Sequence, residues 1–242
     1  MKGLTDTTYG DAIADIYDEM HAIDPNDAVA LVAELADGGR VLELGVGTGR
    51  VAIPLVARGL EVHGVDVSDA MIERLRAKSG ADGVRIVKGD FAEAIAGSDF
   101  SVAFVAFNTF FAIASLEKQK ACFQNVSKQL RRGGTFALEC FVPDASRFTS
   151  GQALRTGGMT ADRVVLEATR YDRNAQILDA QLIVISTSGT RLIPLQLRYC
   201  YPTELDLMAE LAGMRLRARY ASWARAPFTQ TSMNHVSIYE KV

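Results

Sequence analysis

The stretch Val41-Leu42-Glu43-Leu44-Gly45-Val46-Gly47-Thr48-Gly49-Arg50 narrows the possible folds more than any other part of the chain. Its first four residues are too few for a helix and apolar enough for a buried strand. Three glycines at alternate positions then let the backbone turn tightly and approach a ligand, beside the start of a helix. Val51 to Arg58 has the helical character such a turn requires. Strand, glycine turn and helix make the first unit of an open α/β sheet.

The alternation continues downstream. Glu61 to Val65 reads as a second strand, and Ser68 caps a helix carrying Met71, Ile72 and Leu75. Val84 to Val87 is a third strand; Ser101 to Phe107, apolar almost throughout, suits a central strand covered on both faces. Ser115 opens a helix to about Leu130, Gly133-Gly134 breaks it, and Thr135 to Phe141 is a fifth strand. This rhythm predicts the α/β class: a seven-stranded, doubly wound, mostly parallel sheet with helices on both faces.

Both flanks differ from this core. Gly10 to Ala36 reads as helical, with Ile13, Ile16, Tyr17 and Met20 at helical spacing. Asp24-Pro25 opens a second helix with Pro in its first turn, and Gly38-Gly39 ends it. After residue 142, Arg163 to Tyr171, Ile177 to Thr187 and Arg191 to Tyr201 are consecutive β-rich runs separated by turns, an antiparallel β insertion. Thr203, with Asp206 three residues on, caps a helix that Gly213 stops; Met214 to Ala221 and His235 to Tyr239 are the last strands. The expected organisation is one domain over 1–242: an N-terminal helical segment at 1–36, a core at 37–142, the insertion at 160–202 and the rest of the core at 203–242. The insertion leaves strand edges that a second copy of the chain could cover, so a homo-oligomer is expected through it.

Composition limits the partners. With 242 residues, 48% of them hydrophobic, and a net charge of −3, nothing suggests a nucleic-acid surface. Arg215, Arg217 and Arg219 alternate as the solvent face of one strand would. Cys122, Cys140 and Cys200 are few and widely spaced, as in reduced proteins, and neither a CxxC nor an HExxH pattern signals a metal site. No run resembles a signal peptide or a membrane span, so no membrane partner is expected and the location is cytoplasmic.

The chemistry sits around the glycine turn. Asp66, at the end of the second strand, can accept from both hydroxyls of a ribose, or can cap the helix near Ser68. A dinucleotide fingerprint needs Gly or Ala where this chain has Arg50. VLELGVGTGR, then GVDVS (64–68), then KGDF (88–91) resembles the class I S-adenosylmethionine-dependent methyltransferases, over most of the chain. The resemblance implies S-adenosyl-L-methionine as cofactor and S-adenosyl-L-homocysteine as product. It places Glu43, Gly45, Gly47 and Gly49 around the methionine part, Asp66 on the ribose, Asp90 and Phe91 at the adenine, and Asn108 near the reacting methyl. Thr48, Arg50, Val67 and Met71 complete the expected contacts. More narrowly, YDEMH, AFNTFFAI, LRRGGTFALECFVPD and the β insertion are similar to small-molecule N-methyltransferases of natural-product pathways, including amino-sugar enzymes.

In such a family the N-terminal segment is a lid. Tyr9 and Tyr17 there could shield the sulfonium by a cation–π contact, with Tyr17 as core the alternative. Phe110 and Phe111 follow the fourth strand, where ligands bind, and at least one is expected in the substrate pocket with Tyr9. Tyr9, Phe111 and His235 are the candidate catalytic residues. A neutral amine needs only alignment, whereas a hydroxyl usually needs a base or metal. The favoured reading is N-methylation of a small-molecule amine. The alternatives are O-methylation with His235 or His21 as base, a nicotinamide oxidoreductase, and a non-catalytic protein that keeps the cofactor fold.

Overall fold

A computed structural model describes residues 1 and 3–242. Helices α1 (Thr8–Ile13), α2 (Tyr17–Met20) and α3 (Asn26–Ala36) come first. Then β1 (Val41–Leu44), α4 (Ala52–Ala57), β2 (Val62–Asp66), α5 (Asp69–Arg76), β3 (Val84–Lys88), β4 (Phe100–Val105), α6 (Leu116–Gln129) and β5 (Leu130–Phe141) follow one another. β6 (Gln152–Met159), β7 (Arg163–Asp172), β8 (Ile177–Ser186) and β9 (Gly189–Arg198) succeed each other without an α-helix between them. α7 (Pro202–Leu211), β10 (Met214–Tyr220) and β11 (Asn234–Lys241) close the chain.

The main sheet has seven strands in the order β10-β11-β5-β4-β1-β2-β3. β1 runs parallel to both β2 and β4, and only β11 runs against its neighbours. After β3 the chain therefore crosses to the other side of β1 to form β4. That reversal opens a crevice at the carboxyl ends of β1 and β4, where open α/β sheets bind ligands. Successive side chains of each strand point to opposite faces, so both faces bury a core. Leu42, Leu44, Ala103 and Val105 meet α6 and α7 on one side. Val41, Val62, Val102 and Phe104 meet α3 and α4 on the other. A second, four-stranded antiparallel sheet, β6-β7-β8-β9, stands over the carboxyl end of the first.

Several elements differ from the sequence reading, each for a local reason. The first helix is two short ones. Ile13 and Ala14 pack under β7–β9 and α5, and Arg191 of β9 takes the Ala12 carbonyl that a continuous helix would use. Pro25 precedes α3 instead of lying in its first turn, and Asp24 accepts from the Asn26 N–H at 2.9 Å. α6 ends at Gln129 without help from Gly133-Gly134, which lie inside β5 where its register against β4 slips. A Cβ at Gly134 would stand 2.8 Å from the Phe100 carbonyl.

The insertion starts at 152 and has four strands; β6 was hidden by its exposed residues and by Gly157-Gly158 at a bulge. Pro202 at the first turn starts α7, and Thr203 makes no cap. A bulge between Leu216 and Ala218 breaks the strict alternation of β10. It turns Arg219 inward onto Asp206, Ser237 and Tyr239, away from the solvent face expected for it.

Candidate functional site

The turn after β1 is made by three glycines in a backbone conformation that other residues seldom adopt. Gly45, Gly47 and Gly49 have φ of 70°, 53° and 79°, in the left-handed region. A Cβ on Gly45 would lie 2.5 Å from Thr109 Cγ2, and one on Gly49 would lie 2.9 Å from Leu75 Cγ. Asp66 at the end of β2 fastens this turn: its Oδ2 accepts from Gly47 N at 2.7 Å and its Oδ1 from Ser68 N at 3.0 Å. The helix cap is Ser68, which accepts from Met71 N and donates to Asp11 of α1 at 2.6 Å. Burial pushes the Asp66 carboxyl up, against the N–H groups of Ser68 and Gly47. Val67 joins Asp66 to that cap, and Met71 is buried under the N-terminal helices.

Glu43 is 4% exposed, and its Oε2 has no hydrogen-bond partner among the described residues. Burial pushes its carboxyl up to about 8, against the opposing pull of Arg50. Around it runs a narrow cleft lined by Tyr17, Gly45, Gly47, Thr48, Arg50, Phe107 and Thr109. Thr48 donates to Asp18 of α2 at 2.6 Å, and the Arg50 guanidinium lies over the Phe107 ring at 5.7 Å. Asp90 accepts from Lys118 Nζ and Ala92 N, both at 2.9 Å, while Phe91 sits beside Gly45. Asn108 has φ of 63°, and its Oδ1 accepts from Phe141 N at 2.6 Å, so its side chain ties β4 to β5.

Tyr17, Phe107 and Thr109 also border a second cavity of 420 Å³. The N-terminal helices supply Tyr9, Tyr17 and His21 to one wall. β6 and β7 supply Arg155, Glu167 and Tyr171 to another wall, and Tyr199 just after β9 joins them. Tyr9 Oη lies in hydrogen-bond contact with His21 Nε2 at 3.2 Å. Burial, then the neighbouring Tyr17 and Glu167, raises the Tyr9 phenol; burial, then Arg50, lowers the His21 imidazolium. The His21 ring meets Tyr17 and Phe107 edge-on, each at 4.8 Å.

Tyr9, Tyr17 and Asn108 thus border the cavity, Tyr17 bordering the cleft as well, and three other candidates do not. Phe110 and Phe111 are fully buried against Phe123 and Phe141; Thr109 and Ala112 on either side of them face the cavity instead. His235 is fully buried in β11 opposite Cys140, bonded to Ser237 Oγ at 2.8 Å, and does not border the cavity. Sequence reasoning left Phe107, Glu167, Tyr171 and Tyr199 out. The period-two spacing of 167, 169 and 171 was the available signal for the wall they form.

A methyltransferase domain family matches residues 41–134. The CcbJ methyltransferase from Streptomyces caelestis is 42% identical, with 99% of this chain and 100% of that one covered and a TM-score of 0.93. The chain is a class I S-adenosylmethionine-dependent methyltransferase. A cypemycin N-terminal methyltransferase from Streptomyces sp is 29% identical over 206 residues, 85% of this chain and 84% of the relative. CalS10, an amino pentose methyltransferase from Micromonospora echinaspora, shares the fold at 21% identity, a TM-score of 0.63 and coverage of 100% of this chain and 93% of that one. Family membership overturns the nicotinamide and non-catalytic readings. No helix among the described residues of the methyltransferase is long and apolar enough to cross a membrane.

Two pH effects follow from this geometry. Burial, then the charge of Arg219, pushes the His235 imidazole down to about 4 from 6.5. Its folded pKa is below the unfolded one, so its contribution is complete above pH 6.5 and is lost as pH falls through 4. That is worth about 3 kcal/mol. His235→Gln is expected to flatten the fall of Tm over that window and to leave the pH profile of turnover unchanged. At Glu43 the pKa is displaced the other way, upward, and the effect falls on ligand affinity. If the cofactor's ammonium binds beside it, the ionised carboxylate is favoured, so binding would release a proton and tighten as pH rises towards 8. Titration calorimetry of S-adenosylhomocysteine in buffers of different ionisation enthalpy measures that proton, and Glu43→Gln should abolish it.

Proposed function

We propose that this methyltransferase N-methylates a small natural-product amine held in the cavity beside the cofactor cleft. The observation that carries the reading is the shared wall: Tyr17, Phe107 and Thr109 border both spaces, beside the aromatic and carboxylate groups of Tyr9, His21 and Glu167. Aromatic faces and a carboxylate attract an ammonium and keep it at the cleft. The name of the cypemycin relative also points to a nitrogen acceptor.

The residues present fit S-adenosylmethionine. Glu43 has one unpartnered buried oxygen for the ammonium of its methionine part. The glycine turn leaves room for close backbone approach, and Asp66 stands at the ribose position. Bound there, the cofactor supplies a methyl group activated by a sulfonium. The protein aligns the nucleophile and excludes water. Tyr17 and Phe107 separate the two spaces and present rings to a cation. His21 stays neutral near pH 7 because burial and Arg50 oppose its charge. It can therefore take the proton that the acceptor nitrogen loses, through the Tyr9 hydroxyl.

O-methylation is the second reading. It rests on His21, the only histidine bordering the cavity among the described residues. Purified protein incubated with S-adenosylmethionine and matched amine and hydroxyl acceptors tests both. Methyl gain on nitrogen alone is expected, and turnover of hydroxyl acceptors alone would overturn the proposal.

A further inference from the structure

Arg155 on β6 and Glu167 on β7 are direct cross-strand partners, and both border the 420 Å³ cavity. Opposite charges at such positions have Cβ atoms about 5 Å apart and ordinarily pair. These two do not. Neither forms an ion pair with any charged group within 4.0 Å among the described residues, and Glu167 has only the Thr169 hydroxyl on its Oε1 at 3.0 Å. Both are half-buried.

Their neighbours on the wall differ. Glu167 is close enough to the buried Tyr9 to raise its phenol, and Arg155 is near Asp144, just after β5, whose carboxyl is held down first by Ser146. Tyr9 and Asp144 both line the cavity. A carboxylate and a guanidinium that leave each other unpaired on one wall suit a molecule that carries a cation and an anion a short covalent distance apart.

We propose that Arg155 and Glu167 form a subsite for an acceptor whose amine lies close to a carboxylate: an amino acid, or a larger molecule bearing an amino-acid unit with a free carboxyl. The proposal rests on the N-methylation reading. Glu167 draws the ammonium towards Tyr9 and His21. Arg155 receives the carboxylate with two parallel N–H donors, a geometry that Lys cannot reproduce. A methyl ester removes the anion but also makes the amine less basic, so it is the Arg155→Gln comparison, made on acid and ester in turn, that separates charge recognition from the reaction itself.

The test uses the full-length protein, a panel of α-amino acids and the methyl ester of each. Turnover is followed with labelled S-adenosylmethionine, and binding to the S-adenosylhomocysteine complex by calorimetry. Acids are expected to exceed their esters in kcat/KM by about 10- to 100-fold, the range for one charge-assisted contact. Arg155→Gln should bring the acids down to the level of the esters, with ester turnover and S-adenosylhomocysteine affinity unchanged. Arg155→Lys should recover only part of the loss. Glu167→Gln should raise KM for acids and esters alike.

Equal turnover of acids and esters by the unaltered protein, or an Arg155→Gln loss that is the same for both, overturns the subsite. Failure of every amino acid to bind also overturns it, while the amine panel above decides N-methylation separately. Arg155-dependent binding of acids without any methyl transfer would uphold the subsite and sink the N-methylation reading.

Discussion

Gly45→Ala is expected to lower Tm by about 6–12 °C and to weaken cofactor binding at least about tenfold. Two effects combine. The residue sits at φ 70°, where a Cβ costs about 1–2 kcal/mol. That Cβ would also lie 2.5 Å from Thr109 Cγ2. Thr109 cannot simply retreat, because the next two residues, Phe110 and Phe111, are fully buried in the core. Overpacking of this kind costs about 1–3 kcal/mol more. Relief must come from the glycine turn itself, and its movement displaces the Gly47 N–H that Asp66 holds. Thermal melts with and without S-adenosylhomocysteine check both parts. A melt within about 2 °C of the parent, a shift of less than about 1 kcal/mol, would show that the turn yields easily.

Asp66→Ala is expected to weaken S-adenosylhomocysteine by at least about 100-fold and to lower Tm as well. In the ribose role proposed for Asp66, two charge-assisted hydrogen bonds at about 1.5–3 kcal/mol each would account for that loss. The variant also frees the Gly47 and Ser68 N–H groups, and Ser68 is 1% exposed, so part of the loss falls on stability. Asp66→Asn separates the two roles, since an amide keeps one acceptor for the backbone but carries no charge. An S-adenosylhomocysteine affinity for Asp66→Ala within about fivefold of the parent would mean that Asp66 serves the turn alone.

The sheet and the glycine turn were legible because local spacing encodes them. A strand, three alternate glycines and an acid at the end of the next strand leave few other ways to fold. Glu43 and Asp66 could be named for the same reason. Phe110 and Phe111 mark where local reading fails. The segment after β4 was identified correctly, but the short helical turn at 109–112 sends both phenylalanine rings into the core and Thr109 and Ala112 outward. No sequence period distinguishes those directions.

His235 was misjudged for a longer-range reason. Its pairing with Cys140 depends on how β11 slots between β5 and β10, and that pairing seals it away from the cavity. His21 gained its place because α1 and α2 break apart, which brings the Tyr9 hydroxyl to its ring. The Arg155 and Glu167 wall needs β6, whose glycines and exposed residues conceal a strand until β7 is beside it.

The N-terminal helices are fastened on two sides at once. Asp11 and Asp18 bond to Ser68 and Thr48 at the cofactor turn. Asp15 and Glu19 pair with Arg191 and Arg163 on the second sheet, at 2.9 and 2.7 Å. Residues 8–20 are thus tied at once to the glycine turn and to the second sheet. If the donor binds at that turn, amide exchange across the whole of 8–20 should slow when S-adenosylhomocysteine binds, the side facing the second sheet included. Opening for either reactant would then have to break both sets of bonds together.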